Sequence, residues 1–403
     1  MGLLLAYFYE RDQDAARYAK YGLMGLRHRG PRLRYASLGE KGFTVEALDA
    51  WSSGLRPSSG YAGIAAVEPS ASLALAGGGD RLTAAAVDGG CSAERVAELV
   101  AKRGVDEAAE KLASADWFAP CAAVALTRDG GFLAVRGRES RRPLSLGGYG
   151  FEAIYAATET APITLMGGAW RHDLEAGEAV YGDRHVLETL RRGGERRTSL
   201  FEYIYMARPD SYVDGVSVYE FRRAMGERLA QLHSVSIDAV VGVPETALPY
   251  AVGYAEAAGA RLELGFVSTI GRIRTAVAGL DQRERMMALS LKLNPVPSVF
   301  EARRVAIVDD SVVTGLTLKT VVQRLRRLHG VREVHVAVAS PKIIRTCPYR
   351  LQVLDEASLV ARHLNDDQVR LVLDADSLVW LPLGEAVSWL NERGINPCTY
   401  CMG

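Results

Sequence analysis

The sequence predicts two unlike domains in tandem: a strand-rich α+β domain, then an α/β domain built on a parallel sheet. Two observations carry the second half. From about residue 215, strand-like and helix-like runs alternate: "VYEFRRAMGERLAQL", "IDAVVGVP", "LPYAVGYAEAAG", "RVAIVDD", "LTLKTVVQRLRRLHG" and "EVHVAVASP". Each strand-like run is continuously apolar, as expected where both faces of a strand are covered by helices. A third observation carries the first half. Before residue 195 the apolar runs are short and broken by Gly and Ser, as in "GIAAVEPSASLALAGGG", "CAAVALTRDGGFLAV" and "GFEAIYAATET". Such punctuated runs read as strands joined by turns.

Taken in order, "MGLLLAYFYERD" is apolar but lacks a basic leading segment, so it reads as a strand and not as a signal peptide. A cytoplasmic location is the expectation that follows. Residues 93–115, "AERVAELVAKRGVDEAAEKLASA", predict a helix, and "LRRGGERRTSL" at 190–200 predicts a linker. The boundaries expected are 1–195, 196–370, and a C-terminal helical tail over 371–403 that carries a C-x-x-C. The 48% hydrophobic and 24% charged content is that of a folded domain. A net charge of +0 and a pI near 7.1 argue against a nucleic-acid binder. No apolar run approaches the ~20 residues of a membrane span.

Five cysteines occur, at Cys91, Cys121, Cys347, Cys398 and Cys401. An odd number at wide spacing is a poor disulfide framework. Cys91 and Cys121 are expected as buried small hydrophobes.

The chemistry concentrates in "VAIVDDSVVTGLTLKT", 305–320. An apolar strand ends in Asp309-Asp310, a polar loop follows, and a helix begins. In open α/β sheets ligands bind at the carboxyl ends of strands. Ser311, Val312, Val313, Thr314, Gly315, Leu316 and Thr317 offer hydroxyls, a flexible glycine and a helix start, which together suit a phosphate. Two carboxylates would repel that phosphate. They fit instead the hydroxyls of a sugar, or a Mg²⁺ on a second phosphate group. The ligand suggested is a phosphorylated sugar with vicinal hydroxyls. The loop is neither a Walker A sequence nor a GxGxxG turn.

This array resembles the phosphoribosylpyrophosphate (PRPP) loop of the type I phosphoribosyltransferases. Further runs resemble one branch of that group, the glutamine PRPP amidotransferases (amidophosphoribosyltransferases): "FEYIYMARPDSYVDGVSVYEFRRAMGERLA" (201–230), "VVGVPETALPYAVGYAEAAG" (240–259), "LKLNPV" (291–296), "DADSLVWLPL" (374–383), "YGLMGLRHRG" (21–30) and "ESRRPLSLGG" (139–148). The resemblance implies an N-terminal nucleophile (Ntn) glutaminase-like αββα domain followed by a type I phosphoribosyltransferase domain with a parallel sheet. It implies PRPP as substrate, ammonia or another amine as acceptor, Mg²⁺ as cofactor, purine nucleotides as regulators and a homo-oligomer. It implies no nucleic-acid or membrane partner. By the same resemblance Asp309 and Asp310 hold the ribose hydroxyls, and residues 311–317 hold the 5-phosphate. Pro244, Glu245, Thr246 and Arg272 face the pyrophosphate, and Thr246 joins the two aspartates as an oxygen ligand of Mg²⁺.

The sequence also departs from the family pattern. Gly2 stands where the nucleophilic cysteine is expected, Gly63 stands for a glutamine-binding arginine, and Val87-Asp88-Gly89 stands for the His-Asn-Gly run of the oxyanion site. A carboxylate there has the wrong sign for an oxyanion. The N-terminal half is therefore expected to keep its fold without glutaminase activity. In the second half, Glu245-Thr246 stands for Asp-Ser, Thr314 for an arginine and Leu316 for a threonine. A Lys-Asn-Arg-Tyr run is missing ahead of Arg272 and Arg274, while Arg283 and Arg285 lie further along. The leading reading is an ammonia-using phosphoribosyltransferase. The other is a non-catalytic paralogue that binds PRPP or a nucleotide. Finally, Cys347, Cys398 and Cys401 match three of the four cysteines that hold an iron–sulfur cluster in some members, with Ser199 in the fourth place. A 4Fe–4S cluster, zinc or no metal are the alternatives.

Overall fold

The computed structural model describes residues 2–49, 52, 54–267, 293–350 and 355–403. In the first domain two antiparallel sheets lie face to face. One has seven strands, in spatial order Ala169–Asp173, Ser145–Tyr149, Ala153–Ala157, Gly2–Phe8, Ala62–Val67, Arg32–Gly39 and Gly42–Asp49. The other has six: Leu187–Arg191, Glu178–Gly182, Phe132–Arg136, Ala122–Thr127, Thr83–Asp88 and Ser72–Ala76.

The two-residue period of a strand sorts side chains between layers. Along Gly2–Phe8, Leu3, Leu5 and Tyr7 enter the core between the sheets, while Leu4, Ala6 and Phe8 meet Leu23 and Leu26 of the Ala16–Leu26 helix. On the far side, Val87, Leu133 and Val135 pack on Val96, Val100 and Leu112 of the Ala93–Ser114 helix. The layers thus run helix, sheet, sheet, helix, the αββα order expected. The long helix starts with Ser92 accepting from Arg95 N–H, but it is broken at Gly104, whose φ of 81° no helix allows.

The second domain is a five-stranded sheet in the order Arg261–Glu263, Ala239–Gly242, Arg304–Asp309, Glu333–Val338 and Ser377–Trp380, all parallel. Val240, Ala306, Val308 and Ala337 face one core, with the Val218–Leu232 and Leu248–Ala258 helices over it. Val241, Val305, Ile307 and Val336 face the other, under Val321, Val322 and Leu325 of the Leu316–His329 helix. Burial on both faces explains why these strands are continuously apolar. Two of the covering helices touch backbone to backbone: a Cβ on Gly226 would lie 2.0 Å from the Tyr250 carbonyl oxygen.

Three expectations need correction. The 371–403 segment is not purely a helical tail, because Ser377–Trp380 pairs with Glu333–Val338 as the fifth strand of the sheet. The 190–200 stretch is a linker only in its first part: residues 191–195 are exposed, but the chain docks again from Thr198. Thr198 and Ser199 are buried, and Thr198 carbonyl and Leu200 N–H bond the Cys398 backbone at 3.0 Å each. Cys91 and Cys121 are not free hydrophobes but a disulfide, closing a 30-residue separation. Chain-entropy arguments give such a loop roughly 3–4 kcal/mol. The Cys91→Ser/Cys121→Ser double variant is therefore expected to shift the urea midpoint of the non-reduced protein down, and a dithiol reductant should reproduce the shift in the native chain.

Buried arginines join the domains. Arg136 donates to Asp214 Oδ1 at 2.5 Å, to Thr198 Oγ1 at 2.6 Å and to the Leu174 carbonyl at 2.7 Å. Arg29 bridges Glu159 at 2.6 Å and Glu202 at 2.9 Å. Arg142 reaches Asp88 at 3.0 Å and the Tyr349 carbonyl at 2.7 Å.

Candidate functional site

Asp309 is the last residue of the Arg304–Asp309 strand and is only 8% exposed. Its carboxylate accepts from the Asp310 N–H at 3.0 Å, and Asp310 in turn accepts from Ser311 Oγ at 2.8 Å. Its own carbonyl accepts from Ala339 N–H of the next crossover at 2.8 Å, which pins the strand end. The loop beyond is held by its apolar residues. Val312 is buried in one core, Val313 packs on the other, and the Val313 carbonyl accepts from Val360 N–H at 2.9 Å.

Gly315 turns the chain into the Leu316–His329 helix at φ 72°, a left-handed conformation that favours glycine. Gly315 at the N-cap offers no side chain, and only Thr314 Oγ1, 3.4 Å from Leu316 N–H, reaches the helix start. Its first turn therefore presents backbone N–H groups and the positive end of the helix dipole to an anion. Leu316 stands 62% exposed at that first turn and adds no hydroxyl.

The second loop follows the neighbouring strand. Gly242 is in register with Val308, and Val243 N–H donates to the Val308 carbonyl at 2.8 Å. Pro244, Glu245 and buried Thr246 therefore lie beside Asp309. Tyr250, one turn into the next helix, is wholly buried. Burial pushes its phenol up, Arg222 opposes the shift, and the Asp310 carboxylate adds to it. Arg208 enters from the domain junction. Its bidentate bonds to Asp210 raise it most, and it also feels Glu245. Tyr250 and Arg208 were not among the residues expected at the site, although both lie within the family-like runs. The structure thus brings Asp309–Thr317 and Pro244–Thr246 together. Arg272, Arg274, Arg283 and Arg285 lie outside the described residues.

In the first domain, other side chains pack against two of the positions that depart from the family pattern, Gly63 and Asp88. A Cβ on Gly63 would lie 2.1 Å from the hydroxyl of buried Tyr35, so the ring occupies the space of a longer side chain there. Asp88 is wholly buried and accepts from Ser70 Oγ at 2.8 Å and from Arg142 Nε at 3.0 Å. Burial alone would push this carboxyl up. The Arg142 guanidinium and the Ser70 hydroxyl outweigh it and hold the pKa below the usual carboxylate value.

The C-terminal segment that carries Cys398 and Cys401 is tied to two other parts of the chain. Ile344 N–H donates to the Cys401 carbonyl at 3.0 Å, and Ser199 is bridged to Cys398. Burial pushes the Cys401 thiol up to about 12, with Cys347 and Cys398 adding to it. A cluster needs deprotonated sulfur ligands, normally four. Three cysteines and a serine hydroxyl fall one thiolate short of that set. Among the described residues no three His, Cys, Asp or Glu side chains are grouped to hold a metal ion. Two carboxylates do suffice for Mg²⁺ that takes its other ligands from phosphates and water. No helix among the described residues is long and apolar enough to cross a membrane.

Comparison with known proteins agrees with this geometry. A family profile described as "Phosphoribosyl transferase domain" matches residues 217–350. The amidophosphoribosyltransferase of Methanocaldococcus jannaschii is 32% identical over 289 residues, 67% of this chain and 60% of that protein. The chloroplastic enzyme of Glycine max is 33% identical over 271 residues, 67% of this chain and 47% of the relative. These alignments thus span only about half the length of the curated relatives. The solved structure of glutamine PRPP amidotransferase from B. subtilis, complexed with ADP and GMP, superposes with a TM-score of 0.81 at 26% identity, over 100% of this chain and 96% of that one. Fold and loop together define a type I phosphoribosyltransferase domain joined to an Ntn-type domain. The chain belongs to the glutamine PRPP amidotransferase, or amidophosphoribosyltransferase, family.

Proposed function

We propose that this protein transfers the phosphoribosyl group of PRPP to a free amine, ammonia being the simplest, and that its N-terminal domain is not a glutaminase. The observation that carries the reading is a convergence at two adjacent strand ends. There the Asp309–Asp310 pair, the start of the Leu316–His329 helix and the Pro244–Thr246 loop meet.

In this reading the ribose hydroxyls donate to Asp309 and Asp310, whose positions are fixed by the bonds described above. The 5-phosphate accepts from N–H groups of the 311–317 loop. The pyrophosphate faces Pro244, Glu245 and Thr246. The C1–oxygen bond breaks with its electron pair leaving on pyrophosphate. The amine lone pair forms the C1–nitrogen bond, and the nitrogen then sheds a proton to water. Mg²⁺, held by the substrate phosphates with Asp309, Asp310 and Thr246 as candidate protein ligands, supplies charge neutralisation for the leaving group. Purine nucleotides as regulators and a homo-oligomeric assembly are carried over from the family as part of the same proposal.

Loss of the glutaminase is supported by Gly2 at the nucleophile position, by Tyr35 filling the space at Gly63, and by the closed Asp88–Arg142–Ser70 set. A second reading, a PRPP-binding paralogue without catalysis, is favoured by the missing Lys-Asn-Arg-Tyr run before Arg272.

The deciding assay is Mg²⁺-dependent pyrophosphate release from PRPP with ammonium as acceptor. Release is expected with ammonium, and none with glutamine in its place. Ammonia formed from glutamine above the no-enzyme rate would overturn the glutaminase part. PRPP binding by calorimetry without release would favour the paralogue.

A further inference from the structure

The helix side of the seven-stranded sheet carries an exposed apolar face. Tyr21 and Met24 stand outward on the Ala16–Leu26 helix, three residues apart and so on one side of it. Leu165 ends the Thr160–Leu165 helix beside them, where a Cβ on Gly25 would lie 2.8 Å from its Cδ1. Tyr149 and Phe151 come from the turn between the Ser145–Tyr149 and Ala153–Ala157 strands, and Trp170 from the edge strand. The pieces adjoin. The Tyr18 and Tyr149 ring centres are 6.4 Å apart. Trp170 pairs with Gly147, two residues before Tyr149 and on the same face of the strand. Tyr212 of the second domain stacks on Trp170 at 5.3 Å and 14°, so the face runs across the domain junction.

The size of the face decides what covers it. Phe151 is 97% exposed, and with it the other outward side chains and Tyr212 are half exposed on average. Large side chains carry roughly 150–250 Å² each, so the face exposes on the order of 650 Å². The largest apolar patch on a typical monomer is about 300–600 Å². Two copies of this face would bury about 1,300 Å² between them, within the roughly 1,200–2,000 Å² of a stable protein–protein interface. The exposed charged neighbours, Arg17, Glu152 and Arg171, are of both signs, as at the polar rim of an interface.

The shape suits a second copy, because one face offers both a knob and a hollow. Phe151 is the knob. The hollow is floored by small residues: Gly167 and Ala169 are exposed, and a Cβ on Gly167 would meet nothing nearer than the Tyr149 ring at 4.0 Å. Leu165, Tyr149 and Trp170 stand around that floor. A two-fold axis between knob and hollow sets each Phe151 into the hollow of the other copy, the isologous arrangement in which one patch meets itself. The edge strands are not expected to pair across that axis. The register of this strand shifts between Trp170 and His172, and such a bulge works against edge-to-edge pairing. The contact is made by side chains.

We propose that this face is the contact between two copies of the chain, with Phe151 of each seated among Leu165, Tyr149 and Trp170 of the other. The proposal gives the homo-oligomer a surface and does not depend on the PRPP chemistry.

Sedimentation equilibrium of the full chain tests the contact. The native chain is expected to self-associate with a dissociation constant in the micromolar range or below. Phe151→Asp, at a position almost wholly exposed and outside the core, should weaken that association about tenfold or more. A native chain that stays monomeric overturns the proposal. So does an assembly that Phe151→Asp leaves unchanged, since its contact then lies on another surface. The seat is read by replacing Phe151 with photoreactive benzoylphenylalanine in a mixture of ordinary and ¹⁵N-labelled chains. Cross-links from one kind of chain to residues 165–170 of the other are expected. Cross-links confined to one chain, or made to another part of the second copy, overturn the knob-and-hollow contact. Neither readout uses PRPP, so failure here leaves the phosphoribosyl-transfer reading standing.

Discussion

Asp309→Ala is expected to lower PRPP-dependent pyrophosphate release by about 10²–10⁴-fold. The fold change follows from the chemistry lost. A carboxylate accepting from two hydroxyls makes charge-assisted bonds worth about 1.5–3 kcal/mol each, and each 1.4 kcal/mol is a factor of ten. Alanine also frees the Asp310 N–H, which now donates to Asp309 at 3.0 Å, so the second carboxylate loses its fixed orientation. The strand itself should survive. The backbone bond from Ala339 to the Asp309 carbonyl does not need the side chain, and the core on either side of the strand is built from Val305, Ala306, Ile307 and Val308. The variant should therefore unfold within about 1 kcal/mol of the native chain, as expected for one lost bond. Activity retained within threefold would remove the carboxylate pair from the mechanism. Activity lost together with several kcal/mol of stability would show the effect to be structural.

Much of this site was legible because its logic is local. An apolar run ending in two aspartates, then a glycine and a helix pattern, gives the strand end, the turn and the helix start from adjacent residues. The same is true of the helix ending at Gly259, where the left-handed cap is read from one residue. What escaped depends on residues far apart in the chain. Ser377–Trp380 becomes a strand because Glu333–Val338 offers it an edge, not because "SLVW" is long or alternating. Cys91 and Cys121 pair because two strand ends approach, and 30 residues of spacing do not announce that. Arg29, Arg136, Arg142 and Arg222 are wholly buried, whereas composition places arginine at the surface. Their partners come from other domains or distant turns: Glu202 for Arg29, Asp214 for Arg136, and the carbonyls of Tyr203 and Ala207 for Arg222. The departures from the family pattern divide the same way. Glycine at position 63 is visible in the letters, whereas the packing of Tyr35 into the space beside it needs the fold.

Arg136→Met is expected to cost about 3–5 kcal/mol, the range for stranding one partner of a buried ion pair. Arg136 is fully buried, and its loss leaves the Asp214 carboxylate, itself 1% exposed, with only Thr198 and Tyr203 hydroxyls at 2.5 and 3.4 Å. Asp173 stands nearby and is already pushed up by burial and by Asp214. Without the guanidinium, two carboxylates would share one buried volume. In the native chain burial raises Asp214, but Arg136 more than offsets it and the pKa ends below the ordinary 3.8. In the variant the sign should reverse: burial and Asp173 are opposed only by the Thr198 hydroxyl and Arg196, so the folded-state value should rise above the unfolded one. The native pair contributes stability at neutral pH and loses it in strong acid. The variant should instead recover part of its deficit as pH falls from 7.5 toward 5, because protonation neutralises the stranded group. Urea unfolding of both chains at the two pH values measures this, and a deficit that grows on acidification would show that Asp214 is not the stranded charge. Replacing both partners, Arg136→Met with Asp214→Asn, should return part of the loss, since the stranded charge is removed and asparagine tolerates the left-handed φ of 50° at this position. The domains would then be held at this point without the charge pair. The Ntn-type domain thus has a structural role, holding Asp214 and Glu202 of the second domain through Arg136 and Arg29, whatever its own chemistry.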